Sequence, residues 1–435
     1  MQLKVLKNAG WIVGCKVVKA LLTLIVTAIT TRYLGVENYG LISYAAGLVA
    51  FVVPIMQLGL NFTIVHEIIE RPKEEGKVVG TVMAMSAMSS LLCIVGVIAF
   101  SMIVNAGEKD TIIVCAVYSL MLCFQAFEMV HYWFQAKLMS KYSAITMLFS
   151  YVAVTVFQVL LVVFRASVYF FAISYSLDYL IIAVVLTVLF TKKSGQKLSF
   201  SFALAKQMFS VSKFYIVSNL MVTIFAQTDK VMLKLMLGNA ETGIYSAAYN
   251  CAIMANFVFA AIIDSMRPDI FNAKKDSQEK FEEKMSELYS VLFYFSLIMC
   301  VAITLLSPLV IKIMCGDGYA PSVDVLRIAV WMTIFSYLGT ARSIWILAEN
   351  KQKYLWILNL VGAVLNVGLN FVLIPMLGAL GAAITTVATQ FFANVILGFI
   401  MKPIRRNNKL LLRGLNPKYV KNIFTAFKKN GGDVE

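Results

Sequence analysis

Residues 32–46 read RYLGVENYGLISYAA, and residues 236–249 read MLGNAETGIYSAAY. At an offset of 203 positions, Leu34, Gly35, Gly40, Ser43 and Ala45 fall on Leu237, Gly238, Gly243, Ser246 and Ala248, and Leu41 meets Ile244. The same short phrase is written twice, about half the chain apart. Glycines at matching places in both copies suit a tight turn and a close backbone approach.

The surroundings of the phrase set the fold class. The 435 residues are 60% hydrophobic and only 14% charged, and mean hydropathy is +0.80. A soluble domain carries about a quarter charged residues, so the solvent of this chain is a bilayer. A net charge of +15 then reads as basic cytoplasmic loops rather than a nucleic-acid surface. The seven cysteines are odd in number and form no CxxC, which argues against a disulfide framework or a zinc site. The opening MQLKVLKNAGWIVGCKVVKALLTLIV reads as a retained first span, because two lysines interrupt its apolar run and no small-x-small cleavage site follows.

About 20 apolar residues cross a bilayer as helix. Candidate spans are 11–31, 41–63, 79–104, 111–134, 143–164 and 168–190, then 209–228, 242–264, 287–312, 323–347, 355–376 and 380–401. The expectation is an all-α polytopic membrane protein of about twelve transmembrane helices in two pseudo-symmetric six-helix lobes. The first lobe is 1–191, the linker 192–208, the second lobe 209–401, and a basic tail follows over 402–435. Basic residues of the connections gather on the side shared by both termini, as in Arg71, Lys73 and Lys77 or Lys192, Lys193 and Lys197. That bias places both termini in the cytoplasm. Each copy of the phrase then leaves the first span of its half on the outer side. Six spans return the chain to its starting side, so the halves are parallel repeats, a transporter plan with the substrate route between lobes.

The first copy of the phrase resembles the signature after the first span of polysaccharide-export flippases of the Wzx type. These belong to the multidrug/oligosaccharidyl-lipid/polysaccharide (MOP) exporter superfamily. TDKVMLKLMLGNAETGIYSAAYN, GDGYAPSVDVLRI and NLVGAVLNVGLNFVLIPMLGALGAAITT resemble later segments of that family in the right order. The resemblance implies a V-shaped, MATE-like bundle in the bacterial cytoplasmic membrane; no cofactor or metal is expected. It implies a monomeric transporter that flips an undecaprenyl-pyrophosphate-linked oligosaccharide for O-antigen or capsule synthesis. Its partners would be that lipid-linked oligosaccharide, membrane lipids, and a polysaccharide polymerase with a chain-length regulator.

Buried charges and polar stripes are the candidate machinery. A charge at the middle of a membrane helix costs roughly 3 kcal/mol or more, so it faces protein or a wet cavity. At about 100° per residue, Lys16, Lys19, Thr23 and Thr27 lie on one arc of the first span. Either the lysines snorkel, or the arc faces a cavity where Lys16 and Lys19 meet pyrophosphate. The seventh span repeats the stripe with Tyr215, Asn219, Thr223, Gln227 and Lys230, and Asn219 is the repeat partner of Lys16. Asn219 and Arg327 join the lysines as pyrophosphate candidates, while Thr23, Thr27, Tyr215, Thr223 and Gln227 are candidates to face sugar. Asp229 and Lys230 read as a gate ion pair or a cargo contact. In the fourth span Glu128 and His131, one turn apart, read as a proton-coupling pair or an interhelical bond; Asp178 is a similar case, with Lys16 or Lys19 as possible partners. Arg342 reads as an inner-interface anchor or a phosphate ligand. Asn359, Asn366 and Asn370 read as helix–helix glue or sugar contacts.

The chain has no GxxxxGK[ST], HExxH or GxSxG, and only two histidines, so enzymatic or ATP-driven chemistry is not expected. A cation-coupled drug exporter of the same superfamily is the alternative. A membrane polymerase or glycosyltransferase is the second, and it lacks the large folded loop such an enzyme needs.

Overall fold

The structure is a computed structural model that describes residues 2–419, the side chains of residues 2–13, 16 and 17 excepted. Among the described residues every regular element is helical. Among the described residues ten helical runs are long and apolar enough to cross a membrane, and the chain is a multi-pass membrane protein. Side chains such as Leu92, Val95 and Ile103 stand well exposed on them, as suits a surface whose solvent is lipid.

The first expected pair of spans meets at a kink within the helical run Gln2–Met56, and the last pair meets at a kink within Gln352–Ile400. A straight helix of 55 residues would run about 80 Å, far beyond a hydrocarbon core of about 30 Å. Each long helix is broken at one glycine. Gly35 has φ 69° and ψ 176°, and Gly378 has φ 59° and ψ −137°. Both lie in backbone regions that side chains all but exclude, so the residue type fixes where the helix turns aside.

The chain divides into two compact units: Met1–Ser246 with Met314–Gly318, and Ala247–Ile313 with Tyr319–Glu435. In the first, an apolar cluster joins Leu60, Val78, Val82, Phe134 and Phe190 to Leu204 and Met208. Trp133 at its edge donates Nε1–H to Glu75 Oε2 at 2.6 Å, and Lys137 also pairs with Glu75. The segment before the Phe202–Leu237 helix runs backbone-on-backbone over Gly76 and Gly80. A Cβ on either would meet Lys197 O at 2.4 Å or Ser199 O at 2.6 Å. Two glycines four apart share one helix face, and they cut the groove in which this connection lies.

The repeated phrase has the same backbone in both copies. Gly238, the partner of Gly35, has φ 95° and ψ −172°. The two copies also pack on each other reciprocally. A Cβ on Gly40 would lie 1.9 Å from Asn239 O, and one on Gly243 would lie 2.1 Å from Val36 O. Residues 36 and 239, like 40 and 243, are equivalent under the repeat. The crossing is therefore a local pseudo-twofold, with a glycine Cα–H facing a carbonyl oxygen from each side. This is why the phrase occurs twice: each copy supplies the flat surface that the other needs.

The second unit is held by buried polar contacts. Residues 392–396 form a π-bulge. Arg342, 5% exposed, donates to Ala393 O at 2.9 Å, to Asn394 O at 3.3 Å and to Asn394 Oδ1 at 2.8 Å. A π-bulge frees carbonyls from the helical ladder, and one guanidinium collects them. Asn366 and Asn370 are fully buried, with Asn370 Nδ2 donating to Asn366 Oδ1 at 3.2 Å.

Candidate functional site: an uncharged cavity and a charged cluster in the first unit

The second half of the Gln2–Met56 helix runs beside the Phe202–Leu237 helix. The glycine crossing ties them at one end. At the other, Gly59, φ 67°, sits so close that a Cβ would be 2.3 Å from Ser212 O, and Phe62 stacks on Tyr215 with centroids 4.7 Å apart. Between these ties the helices part around a cavity of about 330 Å³. Pro54, Gln57, Asn219, Thr223 and Gln227 line it. Pro54 interrupts its helix and has no N–H to give to the Ala50 carbonyl, and Ala50 also lines the cavity. Val53, Val222 and Ala226 complete an uncharged, mostly apolar wall in which Gln57, Asn219, Thr223 and Gln227 are the hydrogen-bonding points. Thr223 donates its hydroxyl to Asn219 O at 3.0 Å, which leaves its oxygen lone pairs as acceptors.

Three residues of the seventh-span stripe, Asn219, Thr223 and Gln227, are thus brought together. Tyr215 is not among the residues around this cavity; its ring is committed to Phe62. Gln57 completes the set and comes from a helix that sequence periodicity does not connect to this one. The signal for it was local: a proline followed three residues later by a glutamine, in an otherwise apolar run.

A second group gathers inside the helices of the first unit. Lys19 Nζ lies 5.0 Å from the centroid of Tyr151, an attraction of about 1 kcal/mol. Lys19 and Asp178 are the charges that act on Glu128. Asp178 accepts from Ser150 Oγ at 2.6 Å, and among the described residues no ion pair joins it to Lys19. The Lys16 side chain lies outside the described residues. Glu128 sits in a 3₁₀ stretch, Ala126–Val130, between helical segments of the fourth span. His131 Nδ1 bonds the Glu128 backbone oxygen at 2.9 Å, not the carboxylate. His131 thus meets Glu128 at its backbone, and the charges of Lys19 and Asp178 act on the Glu128 carboxyl. Thr23 donates to Lys19 O at 2.8 Å, so its hydroxyl hydrogen is used within its own helix; Thr27 is half-buried on the same helix.

A long-range contact went unread in the sequence. Lys234, 4% exposed at its side chain, donates to Glu108 Oε2 at 2.6 Å, 126 residues away. Glu108 also accepts from Thr111 at 2.7 Å. The Lys234 ammonium and then the Thr111 hydroxyl hold the Glu108 carboxyl below the usual carboxylate range. Both residues line a cavity of about 700 Å³ beside Gly238 and Asn239. Asp229, buried, accepts the Tyr245 hydroxyl at 2.6 Å, within the same stretch as Lys230.

The family described as "Polysaccharide biosynthesis protein" matches residues 5–274. The chain belongs to that family. The match takes in both copies of the repeated phrase, the neutral cavity and the charged cluster. No curated protein matches the sequence. Among solved structures, an inward-facing multidrug resistance MATE family transporter of the MOP superfamily is 16% identical, with a TM-score of 0.73. The alignment covers 91% of this chain and 96% of that one. The lipid II flippase MurJ, in an inward closed conformation, is 14% identical with a TM-score of 0.72, over 94% of this chain and 92% of that one. The MOP fold expected from the resemblance is the fold of this polysaccharide biosynthesis protein.

Arg327 and Arg342 of this family member lie in the expected tenth span, Ser322–Ala348, which has a short irregularity between Ala329 and Met332. Arg327 pairs with Asp324 at 2.8 Å and donates to Ser307 at 3.1 Å. Arg342 is buried, and its two terminal nitrogens are committed to the π-bulge.

Proposed function

We propose that this polysaccharide biosynthesis protein is a flippase. It moves undecaprenyl-pyrophosphate-linked oligosaccharide units from the inner to the outer leaflet of a bacterial cytoplasmic membrane, with both termini in the cytoplasm, for O-antigen or capsule synthesis. The observation that carries this reading is the uncharged wall of Gln57, Asn219, Thr223 and Gln227 in a lipid-embedded helix pair. Amides and hydroxyls both donate and accept, as sugar hydroxyls require, and a neutral wall offers a cationic drug no counter-charge. Lys19, with Lys16, supplies positive charge for the pyrophosphate; Asn219 moves from the pyrophosphate set to the sugar set. The MurJ neighbour, a lipid II flippase, lends the fold a precedent for this class of cargo. No step in this reading makes or breaks a covalent bond.

A second reading, a cation-coupled exporter, is favoured by the Glu128 and Asp178 carboxylates and by the MATE neighbour. Lys19 beside them weakens it, since a fixed cation repels a cationic cargo. The test is complementation of surface-glycan display in a flippase-deficient cell, with protein level followed by blot. Asn219→Ala with Gln227→Ala, and separately Lys19→Ala, should reduce display at normal protein level. Lys19→Arg should keep part of it. Wild-type display from both alanine variants rejects the proposal.

A further inference from the structure

The helix Arg405–Gly414 begins just past the last long apolar helix, which ends at Ile400. With Lys409 at zero and about 100° per residue, Arg405, Arg406 and Arg413 fall within about 60° on either side. All four are exposed. Asn407, Asn408, Leu410, Leu411 and Gly414 occupy the opposite side and are buried.

The buried side is fastened to the second unit. Tyr289 donates its hydroxyl to Asn407 Oδ1 at 2.7 Å, and Asn408 Nδ2 donates to Val395 O at 2.6 Å. Gly414 lies so close to Tyr289 that a Cβ there would be 2.7 Å from the tyrosine Cβ. Tyr294 donates to Leu415 O at 2.6 Å. These bonds fix the helix about its own axis, so the basic side is turned outward by construction. Lys402 to Lys418 contains six basic residues and no acidic one. Arg406 shares its charge with Glu282, whereas Lys409 makes no hydrogen bond or ion pair within the described residues. Leu412, 51% exposed, stands at the edge of the basic face.

A helix with one cationic face and an apolar residue at its margin, directly after a membrane span, has the chemistry of an interfacial element. The anions that meet such a face are phospholipid headgroups, which attract each lysine or arginine near the surface. We propose that the 405–414 helix is a lipid-docking surface. Arg405, Lys409 and Arg413 bind headgroups of anionic phospholipid, and Leu412 enters the acyl boundary. This is independent of the cargo.

The test uses the full chain in nanodiscs of phosphatidylcholine with and without phosphatidylglycerol. Native mass spectrometry counts retained lipid, and hydrogen exchange follows residues 405–414. Wild type should retain phosphatidylglycerol over phosphatidylcholine, and its helix should exchange more slowly when phosphatidylglycerol is present. The preference should fall about tenfold or more in the variant combining Arg405→Gln, Lys409→Gln and Arg413→Gln, and in high salt. Should that variant accumulate poorly, Lys409→Gln alone, at a side chain without a partner among the described residues, should still lower it. An unchanged preference in the variants overturns the proposal. So does equal protection in phosphatidylcholine alone, or release of the bound lipid by inorganic phosphate without loss of the helix protection.

Discussion

Adding one methyl group at the crossing of the two repeat copies tests the architecture most sharply. In Gly243→Ala the new Cβ would lie 2.1 Å from Val36 O. A relaxed C···O contact is about 3.3 Å, so the helices must part by about 1.2 Å. In Gly40→Ala the gap to Asn239 O is 1.9 Å, and the required shift is about 1.4 Å. Both obstacles are backbone carbonyls, which cannot rotate away as a side chain can. Overpacking of this kind costs about 1–3 kcal/mol, and replacing a helical glycine by alanine returns up to about 1 kcal/mol. The expected net loss is about 1–2 kcal/mol for either variant. The double variant should lose less than the sum, because one opened crossing accommodates both methyls. Gly96→Ala is the control, since nothing lies within 4 Å of its Cβ position; it should be neutral or slightly stabilising. The assay is thermal unfolding of the purified protein in detergent. If Gly40→Ala and Gly243→Ala unfold like Gly96→Ala, the close reciprocal crossing is not there.

Other outcomes follow from the polar contacts. Glu108→Gln should lower thermal stability, because it strips a buried Lys234 of its counter-charge. In the wild type the folded carboxyl titrates below its unfolded value, so this contribution is present above the ordinary carboxylate range and is lost as pH falls through the lowered value; unfolding followed from neutral to acid pH reads it. Arg342→Ala should cost about 2–5 kcal/mol by stranding the π-bulge carbonyls, and Arg342→Lys should not restore it, lacking the fork; protein yield and unfolding temperature measure both. Glu128→Gln should slow ion-dependent flipping while leaving the protein in the membrane; failure to accumulate would make the carboxylate structural instead.

Much of this was legible before any coordinates. Hydropathy located every long helix, and the phrase at Gly35 and Gly238 marked two places with one backbone conformation. Hydropathy also separated the first and last pairs of spans near Gly35 and Gly378, where the backbone kinks. The helical wheel of the seventh span grouped Asn219, Thr223 and Gln227 correctly, since that helix is regular. It did not show the partners that Arg327, Arg342 and His131 take up, which are set by neighbouring segments and backbone groups. Gln57 beside Asn219, and Lys234 beside Glu108, are contacts across more than a hundred residues, and periodicity within one helix carries no word of them.

Whether the cargo is a lipid-linked oligosaccharide is measured directly by translocation in proteoliposomes, scored as the fraction of a labelled polyprenyl-pyrophosphate oligosaccharide that becomes accessible to an impermeant glycan-modifying reagent. Rapid exposure is expected with the wild type, and slow exposure with Asn219→Ala/Gln227→Ala and with Lys19→Ala. Protein-independent exposure of the glycan, together with efflux of a cationic dye by the same vesicles, would contradict a lipid-linked oligosaccharide cargo.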